Sequence, residues 1–198
     1  MDQKAITKAR GRLRIAEKAI KELEECNNFE SFCDIWFTFL TSAKGIYTVL
    51  EQGAKISPQS RQWFGAKSAE RRNDELLQYV YQARNDDEHG IEPISKEVPG
   101  RLSVGVRKEG YSDSIIFNAN LERGVGKIEM RSLDGKPILI EQTFPHIALI
   151  TVRGRGKDLY DPPKYHKGKI LTDISPSNIA KIALSYLSEL VESASMLR

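Results

Sequence analysis

Apolar residues recur at three- and four-residue steps through the first ninety positions, and the spacing changes character after that. Between residues 3 and 25, Ile6, Leu13, Ile15, Ala16, Ala19, Ile20 and Leu23 alternate with charged side chains, the period of an amphipathic helix with one solvated face. The turn-forming pair Asn27-Asn28 stops it. From Phe29 to Leu50 the period is carried by Phe32, Ile35, Trp36, Phe39, Leu40, Ala43, Ile46, Tyr47 and Leu50, which predicts a helix at the centre of the core. Gln52-Gly53 closes it and Ser57-Pro58 opens the next. Residues 59–89 predict a third long helical region, interrupted near Gly65, with Trp63, Phe64, Leu76, Leu77, Val80 and Tyr81 as its apolar contacts. Gly90 matches the preference for glycine just past a helix C-terminus.

Beyond residue 90, Pro93, Pro99, Gly100, Gly105, Gly110, Gly124, Gly126 and Gly135 punctuate short aliphatic and β-branched runs. Strands are expected at Leu102–Arg107, Ser114–Asn118, Lys127–Arg131 and Ile138–Val152, the last broken near Pro145. Leu133-Asp134-Gly135-Lys136 has hairpin-turn chemistry. Helical spacing returns after Ser175, an N-cap followed by Pro176, with Ile179, Ile182, Ala183, Tyr186, Leu187, Leu190, Val191 and Ala194 on one stripe. The expected class is α+β: a helical bundle built from residues 1–90 and completed by 175–198, with a small antiparallel β insertion at 91–174.

Composition narrows the classes. Hydrophobic residues make up 40% and charged residues 29%, and no apolar run approaches the roughly 20 residues that span a bilayer. Met1-Asp2-Gln3-Lys4 leads into the first helix without a signal-peptide apolar region, so a cytoplasmic, non-membrane protein is expected. Cys26 and Cys33 are seven apart, about 10 Å along one helix, too far for a disulfide there, and without a neighbouring histidine they suggest no zinc site. They read as thiols without catalytic duty; no metal ligand set and no cofactor are expected. Residues 1–90 contain 14 Lys/Arg and 14 Asp/Glu, so the net charge of +3 belongs to residues 91–198.

The candidate chemistry is concentrated in Arg84-Asn85-Asp86-Asp87-Glu88-His89. On a plain helix, Arg84 pairs with Asp87 or Glu88 at i+3 or i+4, and His89 before Gly90 suits the C-terminal dipole. Yet arginine, a polar residue and a histidine in this Arg-x4-His spacing, late in a helix of a bundle, resembles the motif of the HEPN superfamily. The resemblance covers residues 1–90 and the last helix; 91–174 looks like a subgroup insertion. It implies a metal-independent endoribonuclease, acting as a homodimer in a toxin, defence or stress role, with an antitoxin or other protein partner not identified by the sequence. His89 would be general acid or base, Arg84 would hold the scissile phosphate, and Asn85 would orient both. A histidine titrates near neutrality and an arginine fork fits phosphate, so the chemistry is coherent. The resemblance equally admits a catalytically inactive module that binds nucleic acid or protein.

Two expectations follow from spacing. Arg84 and His89 are about 140° apart around a straight helix, so a bend, an unwound end or a two-fold dimer is needed to bring them to one site. Asp86, Asp87 and Glu88 must point away from an RNA backbone. The position two after the histidine, a tyrosine in some HEPN toxins, is Ile91.

A basic stretch follows later. Arg153, Arg155, Lys157, Lys164, Lys167 and Lys169 outnumber Asp158 and Asp161, with Tyr160 and Tyr165 interleaved. Phosphate contact with base stacking is the RNA-binding reading of these six; a solvated loop is the plain one. The glycines here lack Walker A spacing.

Overall fold

The computed structural model describes residues 1–105, 107–122, 125–154 and 158–197, with side chains at all of these except 117–122 and 125–128. The chain is α+β. Its helices are α1 (Gln3–Glu25), α2 (Phe29–Ala54), α3 (Pro58–Asn73), α4 (Glu75–His89) and α5 (Pro176–Ser195). None of them is long and apolar enough to cross a membrane.

The chain forms two compact units: residues 1–96 with 147–198, and residues 97–146. The segment 147–174 therefore counts with the helices. In the helical unit, α1 lies against α2 and α5, and α2 carries the stacked rings of Phe29, Phe32, Trp36 and Phe39 with centroids 5.4 to 6.3 Å apart. Trp36, Phe39, Leu40, Ile46 and Leu50 are essentially inaccessible, as the apolar period of this helix predicts. α1 meets α2 through small residues: a methyl at Gly45 would run into the Arg12 guanidinium, and one at Gly53 into Ala5.

Side-chain caps set the helix starts. Asp2, Asn28, Ser57 and Ser175 each accept a backbone N–H from the first turn they precede. The third helical region does not break near Gly65, which sits inside α3 with open space beside it. It breaks at Asp74, whose extended backbone (φ −109°, ψ 123°) ends α3 and whose carboxylate accepts the Leu77 N–H to start α4. Gly90 is also not left-handed: its φ is −87°. Its N–H donates to the Asp86 carbonyl at 2.6 Å, and a Cβ would lie 2.6 Å from that same oxygen, so close approach is what glycine permits here. Cys26 falls just after α1 and Cys33 within α2, so they do not share a helix; both are free thiols.

The strands form two-stranded pairs rather than one sheet. In the helical unit, β7 (Val152–Arg153) pairs antiparallel with β8 (Leu159–Tyr160), and β9 (Tyr165–His166) with β10 (Lys169–Ile170). β1 (Ser95–Val98) pairs with β6 (His146–Leu149). Within residues 97–146, β2 (Arg101–Val104) pairs antiparallel with β5 (Ile140–Thr143), and β3 (Ile115–Glu122) with β4 (Val125–Ser132). The turn at Leu133–Lys136, with the Lys136 N–H on Asp134 Oδ1 and Gly135 at φ 74°, follows β4 but joins strands that pair elsewhere, so it is not the apex of a hairpin.

Candidate functional site

α4 holds the motif, and the segment 147–174 fastens that helix at both ends. At its start, the Asp74 carboxylate accepts the Lys167 N–H (2.7 Å) and contacts His166 Nδ1 (3.0 Å), while Glu75 accepts the Lys164 and Tyr165 N–H groups. Midway, the Tyr79 hydroxyl donates to the Ile150 carbonyl at 2.8 Å. Near its end, Asp86 Oδ2 accepts the Arg153 N–H at 2.8 Å. These are long-range contacts from 67 to 93 residues away in sequence, and they give the exposed side of α4 a second wall.

Between that wall and the last turn of α4 lies a cleft of 720 Å³, lined among others by Asn85, His89, Thr151 and Arg153. Two motif residues and one residue of the basic stretch thus meet at one opening. His89 is 72% exposed at its side chain. Asn85 is fixed from both sides: its Nδ2 donates to Gln82 Oε1 at 3.0 Å, and its Oδ1 accepts the Lys44 ammonium. Lys44 comes from α2, where it also lies 5.4 Å from the Tyr81 ring centre.

Arg84 is placed differently. The helix continues unbroken to His89, so no unwound end brings Arg84 round, and Arg84 does not line the cleft. Its side chain is only 17% exposed and forms a two-pronged ion pair with Glu88, one prong being Nη2 to Oε1 at 2.6 Å. The Glu88 carboxylate also lies 3.4 Å from His89 Nε2, so this acid stands between the two motif residues.

The three acids are each engaged in their own way. Asp86 holds β7 and also lines the cleft, so it does not point away from it as the sequence reading required, and Glu88 holds Arg84. Asp87 is half-buried, and burial raises its carboxyl above the usual range, with the Asp86 charge adding to the rise and Arg84 opposing it. Burial likewise raises the Cys33 thiol, against a lowering contact with Ser95. Asp74 goes the other way: burial alone would raise it, but the Lys167 and Leu77 N–H groups and His166 together hold it below the usual value.

The remaining basic residues have separate settings. Lys164 lines a second hollow at the start of α4. The Lys167 ammonium lies 3.3 Å from Glu189 and over the Tyr186 ring. Lys169 is exposed on β10. Arg155 and Lys157 lie outside the described residues. Among the described residues, no three His, Cys, Asp or Glu side chains cluster as a metal site would require. Sequence reasoning missed Lys44, Gln82 and the double role of Glu88. Lys44 had a signal, being a lone cation within the most apolar helix; the others had none.

Comparison with family models, with curated proteins and with solved structures finds no match to this chain.

Proposed function

We propose that the chain is a HEPN-like domain that cleaves RNA without a metal, using the cleft at the end of α4. The observation that carries this reading is the meeting of His89, Asn85 and Arg153 at one opening. In the reaction, the ribose 2′-oxygen attacks phosphorus, the bond to the 5′-oxygen breaks, and a 2′,3′-cyclic phosphate forms. One proton leaves the 2′-hydroxyl and one reaches the departing 5′-oxygen. His89 performs one of these transfers, and in a homodimer the second copy of His89 performs the other. Arg153 supplies positive charge beside the phosphate, and Lys44 and Gln82 hold Asn85 in position to orient the substrate. Arg84 joins in only when Glu88 releases it.

The Arg84–Glu88 ion pair favours a second reading, a non-catalytic module that binds RNA at the same cleft. Incubating wild type and His89→Ala with mixed RNA in excess EDTA separates the two. Cleavage by wild type alone, leaving cyclic phosphate ends, supports the enzyme. Equal cleavage by both removes His89 from the reaction, and RNA retention without cleavage by either supports the binding module.

A further inference from the structure

The stripe that carries Asn85 and His89 extends along the whole of α4. At about 100° per residue, Glu75, Gln78, Gln82, Asn85 and His89 fall within about 80° of one another around the helix. The N-terminal end of the stripe opens on a second hollow, of 410 Å³.

Its polar groups are of two kinds. The three acids in its wall keep their charge while accepting hydrogen bonds: Asp74 from two backbone N–H groups with His166 beside it, Glu75 from the Lys164 and Tyr165 N–H groups, and Asp161 from the Thr151 hydroxyl at 2.6 Å. The Arg72 guanidinium, the Lys164 ammonium and the Asn73 amide line the same hollow and have no partner among the described residues. Gln78 Oε1 is buried without a hydrogen bond. Two unpaired cations beside two unpaired amides match a phosphate joined to a base, because guanidinium and ammonium groups suit phosphate oxygens and side-chain amides pair with base edges.

We propose that this hollow is a second nucleotide site, which holds an RNA strand whose scissile phosphate lies in the His89 cleft. Gln78 and His89 are eleven residues apart, about 16 Å along the helix axis, a distance that a few nucleotides of single strand cover. The inference deepens the function proposed above and rests on it for the position of the scissile phosphate. The hollow itself stands on its own unpaired groups.

The test uses the full chain carrying His89→Ala, in EDTA, with fluorescence anisotropy of a labelled decanucleotide and a labelled dinucleotide RNA. Adding Arg72→Gln and Gln78→Leu together is expected to raise the decanucleotide Kd about tenfold and to lower the magnitude of its salt slope by about one. The dinucleotide Kd should move less than twofold. Arg72→Gln alone, at an exposed position, should give part of the effect and guards against a folding defect. An unchanged decanucleotide Kd, or an equal loss for both RNAs, overturns the proposal. So does AMP binding that disappears in the double variant while decanucleotide affinity stays, since the hollow would then serve a free nucleotide. If wild type proves unable to cleave RNA and the Arg72-dependent binding persists, the catalytic reading fails and this site remains.

Discussion

Asp74→Ala, at the N-cap of α4, should cost about 3 kcal/mol of stability. The carboxylate does three things at once: it caps α4 through the Leu77 N–H, receives the Lys167 N–H, and contacts the His166 ring. Loss of an N-cap costs about 1 kcal/mol. Each of the other two contacts involves a charged acceptor and would rank at about 1.5–3 kcal/mol if fully enclosed. Lys167 is exposed and its N–H regains water, which brings the two together to about 2 kcal/mol. The sum is about 3 kcal/mol, read by urea denaturation at neutral pH with an unchanged m-value. Asp74→Asn keeps a capping oxygen and loses the charge, so it should cost about 1 kcal/mol. The pH dependence supplies a second check. Because the folded-state pKa is depressed, the contribution of the charge is present in full above the unfolded value of about 4 and is lost as pH falls through the folded value. The gap between wild type and Asp74→Ala should therefore narrow only below about pH 4. A loss under about 1 kcal/mol at neutral pH, or a gap that acid leaves unchanged, would refute the reasoning.

Two further substitutions test packing and charge. Leu40, inaccessible on α2, should cost about 2–5 kcal/mol when replaced by alanine, as the midpoint of chemical denaturation will show. Glu88→Gln releases Arg84 from its charged partner and should change stability by less than about 1 kcal/mol. The same substitution should tighten RNA binding at low salt, and an unaltered affinity would exclude Arg84 from phosphate contact.

The bundle was legible because its signals are local. The apolar period of α2, the Ser57-Pro58 start of α3 and the Ser175-Pro176 start of α5 are each decided within one or two turns of chain. The break at Asp74 was not read although its cap on the Leu77 N–H is local, because the apolar period runs on through it; the contacts that also hold Asp74, from Lys167 and His166, come from more than ninety residues away. Gly90 was placed at the right boundary for a different physical reason, the closeness of the Asp86 carbonyl. The runs at 102–107, 114–118, 127–131 and 138–152 located β2 to β6 and touched β7, whereas β1, β8, β9 and β10 were missed; pairing depends on which segments meet in space, so the chemistry of Leu133–Lys136 suggested a hairpin that is not formed. At the site, the motif pointed to Asn85 and His89. The same spacing that separates Arg84 from them around the helix also put Glu88 within its reach, and that local contact is the one made.

The way α4 is fastened has a consequence for the order in which the molecule is built. α1 and α2 are joined by a short connection and pack directly on each other, so this pair can form early while the chain is still being synthesised. The cleft follows a different clock. Its α4 side is made by residue 89, but its facing wall, at Thr151 and Arg153, is more than sixty residues further along, and the anchors at Lys164 to Lys167 come later still. A nascent chain therefore carries the whole motif before the segment that walls the cleft has been made.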